Sequence, residues 1–321
     1  MRRRAVRNVF LTSLVVLIGL VSTAIAAQPP YSRLVVFGDS LSDSGNAFVL
    51  LGEVEVRPFE PIPDAPYANG FPHFSNGKTW VEQFAEALGL GVSTKPAALK
   101  NPRFSNYAVG GARARGAEPS DLNNQVTLFL DHFHKKAPAD ALYVVYAGGN
   151  DLRDALSALA DDPSPPTISM AILTKALVAI GETITNLANA GAHTFLVPNA
   201  PPLDLVPAVR FQDEPVRIAA RSLSTQFNIG LENTLLALKV TLPAVTIIPL
   251  DVSTLFTRVV DDPAAAGLLE VEKPCITPGT IDHPFCEQPD QYLFWDYIHP
   301  TEKGHALLAE EAQQALVSAQ R

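Results

Sequence analysis

The sequence predicts an α/β fold, a three-layer α/β/α sandwich with a central parallel sheet of about five strands. Three observations support this prediction: short apolar runs, longer helical patterns that alternate with them, and Gly-rich polar turns after several of the runs. Strands that alternate with helices form a parallel sheet, and right-handed crossovers place helices on both of its faces. The composition, 47% hydrophobic and 18% charged over 321 residues, is typical of a folded globular protein.

Four apolar runs are typical of buried parallel strands, because each is short, β-branched or aromatic, and apolar on both faces. These strands are predicted over 34–37, 142–146, 194–197 and 245–248, with a weaker fifth strand over 103–107. Apolar residues at helical spacing predict helices over 80–88, 122–133, 168–190, 216–238 and 305–317.

Two segments interrupt this alternation of strands and helices. Residues 52–77 and 261–291 are rich in proline and are too long for simple connectors. Each segment is either a lid or wall of a substrate groove or a surface loop without such a role.

The N-terminus has the pattern of an export signal. Four arginines in the first seven residues precede the apolar run 9–21, and Ala24-Ile25-Ala26 then matches a signal peptidase site. The run is shorter than the ~20 residues of a membrane span, which makes a membrane anchor the weaker interpretation. We therefore predict a signal peptide over 1–26 and a single domain over 27–321, with no later apolar run long enough to span a bilayer. The exported product is expected in the periplasm or the medium.

The charge balance bears on the partners that the protein attracts. The chain has 24 basic and 33 acidic residues. Without the four arginines of the predicted signal peptide, the chain has 20 basic and 33 acidic residues, for a net charge of −13. This excess of negative charge argues against nucleic acid or an anionic lipid surface as an electrostatic partner.

Two cysteines, Cys275 and Cys286, lie close together among prolines. In an exported chain this pattern predicts a disulfide. A metal site is the alternative, but His283 is its only nearby third ligand. We therefore predict no metal and no cofactor.

Polar turns follow three of the predicted strands. Gly38-Asp39-Ser40 follows the first, Asn106 to Ala112 ends the weak strand, and Ala147 to Asp151 follows the strand at 142–146. The carboxyl ends of parallel strands meet at one edge of a sheet, where ligands bind. We therefore expect the three turns to lie together.

A serine in this place acts as a nucleophile only with a base and a group that orients the base. His299 is the favoured base, because Pro300 keeps it out of helical geometry and starts the last helix. Asp296, three residues earlier, is close enough to bind Nδ1 of His299 and to leave Nε2 for Ser40. The other six histidines fit surface or capping roles better, and Asp39 is expected to brace the turn.

Acyl transfer also requires donors for the oxyanion that forms on the substrate. The backbone N–H groups of Ser40 and Gly111 are the candidates, with Gly110 as an alternative to Gly111, together with the side-chain amide of Asn150. Taken alone, the Gly-rich pairs at 110–111 and 148–149 also fit ordinary turns.

These blocks, in this order, resemble the GDSL, or SGNH, hydrolases. The residues that carry the resemblance are Ser40 in GDSL, Gly111 (or Gly110) in NYAVGGA, Asn150 in GGND, and His299 in DYIHP with Asp296 three positions before it. The stretch FSNGKTW over 74–80 is similar to a block of the secreted lipase and esterase branch.

The resemblance implies a flavodoxin-like fold and a secreted esterase or lipase that hydrolyses carboxylic esters of small molecules or lipids through an acyl-serine. A phospholipase or an acyltransferase that uses the same site is the alternative function. A non-catalytic binding domain is disfavoured, because the required residue type occupies every catalytic position.

Overall fold

A computed structural model describes residues 31–68, 72–161 and 166–319 of the chain. Four parallel strands pair in the order β1-β2-β3-β4 and form the central sheet. They are β1 (Leu34–Gly38), β2 (Leu142–Tyr146), β3 (Thr194–Pro198) and β4 (Thr246–Leu250). The signal peptide predicted over 1–26 lies outside the described residues.

Helices follow each strand of the sheet. They are α1 (Asn46–Leu51), α2 (Trp80–Ala87), α3 (Leu122–His132), α4 (Gly149–Ala158), α5 (Thr167–Asn189), α6 (Pro207–Arg210), α7 (Glu214–Thr241), α8 (Val252–Asp261) and α9 (Glu302–Ala319). The sequence analysis predicted α2, α3, α5, α7 and α9. It missed α1, α4, α6 and α8.

The two faces of the sheet pack against different helices, because successive strand side chains point to opposite faces. Val35 and Phe37, with their neighbours in β2 and β3, join a core with α3, α4, α5 and α7. Leu34 and Val36 join a second core with α2, α8 and α9. The predicted three-layer α/β/α sandwich is therefore confirmed.

The predicted fifth strand, over 103–107, is reduced to isolated parallel bridges of Asn106 with Val36 of β1 and with Pro96. Ser105 O still accepts from Val36 N–H, and Val109 N–H still donates to the Gly38 carbonyl. Between these contacts the Gln125 side chain intervenes, since its Oε1 accepts from Gly38 N–H at 2.9 Å and its Nε2 donates to Gly38 O at 2.7 Å. The side chain of α3 thus occupies the place of a strand partner, and the sheet has four strands.

One helix in the described part of the chain, α5, is long and apolar enough to cross a membrane by length and composition. The sequence analysis expected no such segment. Leu173, Ala176, Ile180 and Ile184 of α5 are buried in the core that covers one face of the sheet. This burial is the pattern of a core helix in a folded domain.

The segment 261–291 contains part of a second, small parallel sheet. Its strands are β5 (Glu270–Pro274) and β6 (Tyr292–Phe294). Just beyond β5, a disulfide joins Cys275 to Cys286, the pair that the sequence predicted. The bond closes a loop directly against the segment that carries Asp296.

The Gln125 contacts lead to a prediction about stability. Replacing Gln125 with methionine removes the buried partner of Gly38 N–H while keeping most of the side-chain volume. We expect the free energy of unfolding in urea to fall by about 1–3 kcal/mol, since a buried N–H is left unsatisfied. The control is Gln226→Met on the exposed surface of α7, which should leave the urea midpoint nearly unchanged. Equal midpoints for both variants would contradict a stabilising role for the Gln125–Gly38 hydrogen bonds.

Candidate active site

Ser40 lies in a tight turn that begins where β1 ends. The Asp39 carboxylate accepts from Leu41 N–H at 3.1 Å, and the Asp39 carbonyl accepts from Ser42 N–H at 3.0 Å. An aspartate that bonds the backbone two residues ahead stabilises such a turn. Asp39 therefore braces the turn, and Ser40 lies at the carboxyl edge of the sheet.

The structure brings together the three side chains that the sequence analysis selected for catalysis. His299 Nε2 lies 2.8 Å from Ser40 Oγ, and His299 Nδ1 lies 2.7 Å from Asp296 Oδ2. Asp296 and His299 are almost fully buried, and Ser40 keeps 9% of its surface exposed. One imidazole thus connects a serine hydroxyl to a buried carboxylate.

The turn that carries His299 is built around the Asp296 carboxylate. Its Oδ1 accepts from the backbone N–H groups of Ile298 and His299 at 2.8 and 2.7 Å. At the start of α9, the Thr301 hydroxyl accepts a hydrogen bond from Gly304 N–H. Asp296 therefore fixes the backbone of the histidine as well as its ring.

Tyr67 supplies another donor to the same carboxylate, and the sequence analysis did not find it. Its hydroxyl donates to Asp296 Oδ2 at 3.1 Å. Burial, together with the adjacent Asp296 charge, holds the pKa of Tyr67 well above its ordinary value, so the hydroxyl remains a donor. Tyr67 lies 229 residues before Asp296 in a segment without regular structure, and no local sequence pattern predicts this contact.

The FSNGKTW stretch holds the His299 segment from the other side. The Phe74 ring lies 5.3 Å from the His299 ring, and Ser75 Oγ donates to Pro300 O at 2.8 Å. Asn76 Oδ1 accepts from Glu302 N–H, in the first turn of α9, at 2.7 Å. The motif therefore positions the histidine and the helix that follows it.

The candidate oxyanion donors differ in whether they are already bonded. Gly110 N–H donates to Asp43 Oδ2 at 2.9 Å. Within the described ranges, the N–H groups of Ser40 and Gly111 make no hydrogen bond. Gly111 has a φ of 77°, and an added Cβ would have no neighbour within 4 Å. This geometry favours Gly111 over Gly110.

Asn150 stands at the first turn of α4, with its side chain near the Gly110–Gly111 turn. Its Nδ2 donates one hydrogen to Ala112 O at 2.9 Å. An amide nitrogen carries two hydrogens, so one of them remains for another acceptor. Asn150 lines the same cavity as Ser40 and His299.

That cavity has a volume of about 480 Å³ and opens beside Ser40. Most of its walls are apolar and come from one face of α4 and from residues between Ala200 and Val216. From the segment 52–77, Ile62 contributes to the lining. The sequence analysis did not single out the other two regions as walls.

The segment 261–291 has a different place from the wall or lid that was considered. Its disulfide packs with Phe59, Tyr67 and Trp295 in a separate apolar cluster behind Asp296. Phe285 stacks on Trp295 with ring centroids 5.3 Å apart. The two long segments thus meet each other next to Asp296, and none of the described cavity-lining residues comes from 261–291.

In the ranges that the structure describes, His, Cys, Asp and Glu side chains form no group of three that could hold a metal ion. Among the described residues that line the cavity, the acidic and basic side chains are Asp39, Arg153 and His299. Burial raises the pKa of Asp39 to about 6. The carboxyl next to the candidate nucleophile therefore titrates near neutral pH.

A serine bonded to a histidine that is bonded to a buried aspartate is the arrangement of a serine hydrolase. A family model described as GDSL-like Lipase/Acylhydrolase matches residues 34–312. The chain therefore belongs to the GDSL-like lipase and acylhydrolase family, whose members hydrolyse ester bonds. This match confirms the resemblance read from the four sequence blocks.

Individual relatives are distant in sequence but similar in extent. One GDSL esterase/lipase of Arabidopsis thaliana is 25% identical over 306 residues, which cover 87% of this chain and 88% of the relative. A second from the same plant is 28% identical over 325 residues, with 87% and 80% covered.

Two solved structures also match. Phospholipase A1 from Streptomyces albidoflavus is 14% identical, with a TM-score of 0.46 over 90% of this chain and 99% of that one. An extracellular lipase from Streptomyces rimosus is 17% identical, with a TM-score of 0.39 over 87% and 99%.

Tyr67 leads to a prediction about turnover. In Tyr67→Phe the Asp296 carboxylate loses one donor, and we expect kcat for ester hydrolysis to fall roughly tenfold. KM should stay unchanged, because Tyr67 is not part of the cavity wall. Tyr143→Phe is the matched control, since it also removes a hydroxyl bond, to Pro138 O, away from the site. A Tyr67→Phe enzyme with the kcat of the control would show that the contact does not position Asp296.

Asp39 leads to a prediction about pH. Its folded-state pKa lies above the unfolded value, so the folded state favours the neutral carboxyl, and ionisation destabilises the fold as pH rises from about 4 through about 6. Asp39→Asn should therefore be more stable than the parent at pH 8, by an amount on the order of 1–3 kcal/mol. The gain should vanish near pH 4.

Thermal or urea unfolding at pH 4, 6 and 8 measures this difference. Asp282→Asn is the control, because Asp282 is exposed and its replacement makes the same change in charge. A gain in Asp39→Asn that does not depend on pH would rule out burial of the charge as its cause.

Proposed function

We propose that the protein is an exported serine esterase or lipase that cleaves carboxylic esters through an acyl-serine intermediate, with Ser40, His299 and Asp296 as its catalytic residues. The observation that carries this proposal is the pair of contacts on His299: Nε2 at 2.8 Å from Ser40 Oγ and Nδ1 at 2.7 Å from Asp296 Oδ2. Family membership supports the reaction class.

The first half of the cycle forms the acyl-enzyme. Ser40 Oγ attacks the ester carbonyl carbon while His299 Nε2 takes the hydroxyl proton. Asp296 keeps the imidazole in the tautomer with a proton on Nδ1 and stabilises the imidazolium as it forms. The carbonyl π electrons move to the oxygen, which accepts hydrogen bonds from Ser40 N–H, Gly111 N–H and Asn150 Nδ2. Collapse of this intermediate expels the alcohol, which leaves with the proton from His299.

The second half of the cycle releases the acid. A water molecule gives a proton to His299 Nε2 and attacks the acyl carbon, and the oxyanion forms again at the same donors. The C–O bond to Ser40 then breaks, and Ser40 Oγ recovers its proton from His299. Replacement of water by an alcohol in this step would give acyl transfer at the same site.

The substrate class follows from the walls of the cavity. Apolar side chains of α4 and of residues 200–216 surround most of a volume of about 480 Å³ next to Ser40. Such a cavity favours burial of an apolar group of the ester. We propose an ester with an aliphatic or aromatic portion that enters this cavity.

Export is proposed from two features that agree. The N-terminal residues have the pattern of a signal peptide, and the Cys275–Cys286 disulfide is typical of an oxidising compartment. We propose that residues 27–321 form one domain that acts in the periplasm or the medium.

The test of the function is removal of the nucleophile. Ser40→Ala should lower kcat for a p-nitrophenyl ester by about 10⁴-fold or more, because no hydroxyl remains to be acylated. An organophosphonate should add its mass to Ser40 in the parent and leave the variant unlabelled.

Ser222→Ala, an exposed serine on α7, is the control and should keep full activity and labelling. Thermal unfolding should be similar in all three proteins. Full turnover in a folded Ser40→Ala protein would refute the assignment of the nucleophile.

A further inference from the structure

Arg153 is a permanent positive charge in the wall of an otherwise mostly apolar cavity. It lies on α4 one turn after Asn150, and both residues line the cavity beside Ser40. A guanidinium stays protonated at all relevant pH values. The cavity that Ser40 lines therefore also carries a fixed cation in its wall.

The side chain of Arg153 makes no hydrogen bond or ion pair with any residue in the described ranges. The nearby acids of α4 are bonded to other arginines: Asp154 to Arg113 and Arg115 at 2.6 and 2.7 Å, and Asp151 to Arg115 at 3.1 Å. The guanidinium N–H groups of Arg153 are thus available to a ligand on the cavity side of α4.

Among the described residues that line the cavity, Asp39 is the one carboxyl. Its Oδ1 is already bonded to Leu41 N–H. The Arg153 charge acts on Asp39 through space, without a direct contact between the two side chains. Arg153 is therefore not half of an ion pair with Asp39.

An unpaired guanidinium in apolar surroundings selects among ligands by charge. A neutral ligand that fills the cavity displaces water from the cation and offers no compensation, which costs free energy. A phosphate or carboxylate group replaces that water with two parallel charge-assisted hydrogen bonds. The walls strengthen this contact, because they exclude solvent.

The position of Arg153 on α4 limits how far from the ester carbonyl an anionic group can lie and still contact the guanidinium. Arg153 follows Asn150 by three residues, a rise of about 4.5 Å along the helix axis. With Asn150 as a donor to the ester oxygen, the guanidinium comes within a few bonds of the scissile carbonyl. An anionic group must therefore be close to the ester in the substrate.

We propose that Arg153 forms a subsite for an anionic group, so that the preferred substrates are esters that carry a phosphate or a carboxylate a few bonds from the scissile carbonyl. The subsite rests on the proposed function, since it deepens the substrate class of the same site. The net negative charge of the chain disfavours an anionic membrane surface as the source of the anion, so we expect single molecules to bind.

The experiment compares esters that share one hexanoyl chain and differ in charge. Monohexanoylglycerol is the neutral ester, and its 3-phosphate is the phosphate arm. Hexanoyl glycolate is the carboxylate arm. The enzymes are the parent, Arg153→Gln, Arg153→Lys and, as the control, Arg103→Gln, whose exposed arginine also loses one charge.

We expect the parent to favour at least one anionic ester over the neutral one. In Arg153→Gln, kcat/KM for that ester should fall about 10- to 100-fold, mostly through KM, since a charged hydrogen bond is lost. The kcat/KM for the neutral ester should not fall, because the variant removes a cation that this ester leaves unpaired. Arg153→Lys should keep part of the preference, and Arg103→Gln should keep all of it.

The outcomes separate the subsite from the proposed function. Normal turnover of the neutral ester with no anionic preference overturns the subsite alone, and so do equal losses for all esters in Arg153→Gln. Failure of the parent to hydrolyse any ester overturns the proposed function.

If the parent hydrolyses no ester, calorimetric measurement of hexyl phosphate binding tests the subsite independently. Binding to the parent that is lost in Arg153→Gln supports an anion site, and equal or absent binding to both proteins overturns it. Where the parent does hydrolyse the anionic esters, the one with the larger kcat/KM shows whether the subsite prefers phosphate or carboxylate.

Discussion

The buried carboxylate of Asp296 is the constraint on which much of this structure depends. A carboxylate without solvent is costly unless donors surround it. Four donors do so: the N–H groups of Ile298 and His299, His299 Nδ1 and the Tyr67 hydroxyl. Two of these shape the backbone turn, one orients the imidazole, and one comes from a distant segment. The local fold of the connector and the orientation of the base therefore have the same cause.

This requirement explains the two long proline-rich segments. A donor as distant in sequence as Tyr67 must be held in place, and the apolar cluster of Phe59, Trp295 and the Cys275–Cys286 disulfide surrounds it. The Phe74–Asn76 stretch meets the same connector from the opposite side. These segments have little regular structure of their own, so aromatic packing and a covalent bond help to hold them in place. The segments support the contacts among Asp296, His299 and Ser40, and α4 with residues 200–216 shapes the cavity.

Much of this arrangement could be predicted from the sequence, for reasons that are local. The four strands are continuous apolar runs, and five of the helices carry an apolar periodicity that can be recognised. Ser40, Asp296 and His299 stand out because a strand end and a His-Pro junction leave few conformations. The predicted fifth strand does not form, because the side chain of Gln125, which lies far along the sequence, accepts the hydrogen bond from Gly38 N–H. The Tyr67 contact and the cavity walls were not predicted for the same reason. They depend on contacts between segments, and no single segment encodes such contacts.

The cavity shows how one physical condition acts on two charges of opposite sign. The exclusion of water that raises the pKa of Asp39 to about 6 is a penalty on its ionised form. The same exclusion makes any anion that reaches Arg153 bind more strongly than it would at an open surface. The acid can escape the penalty by taking up a proton, whereas a guanidinium cannot. Within the described residues Arg153 is therefore the cavity charge without a bonded partner, and an anionic ligand is the partner that we propose for it.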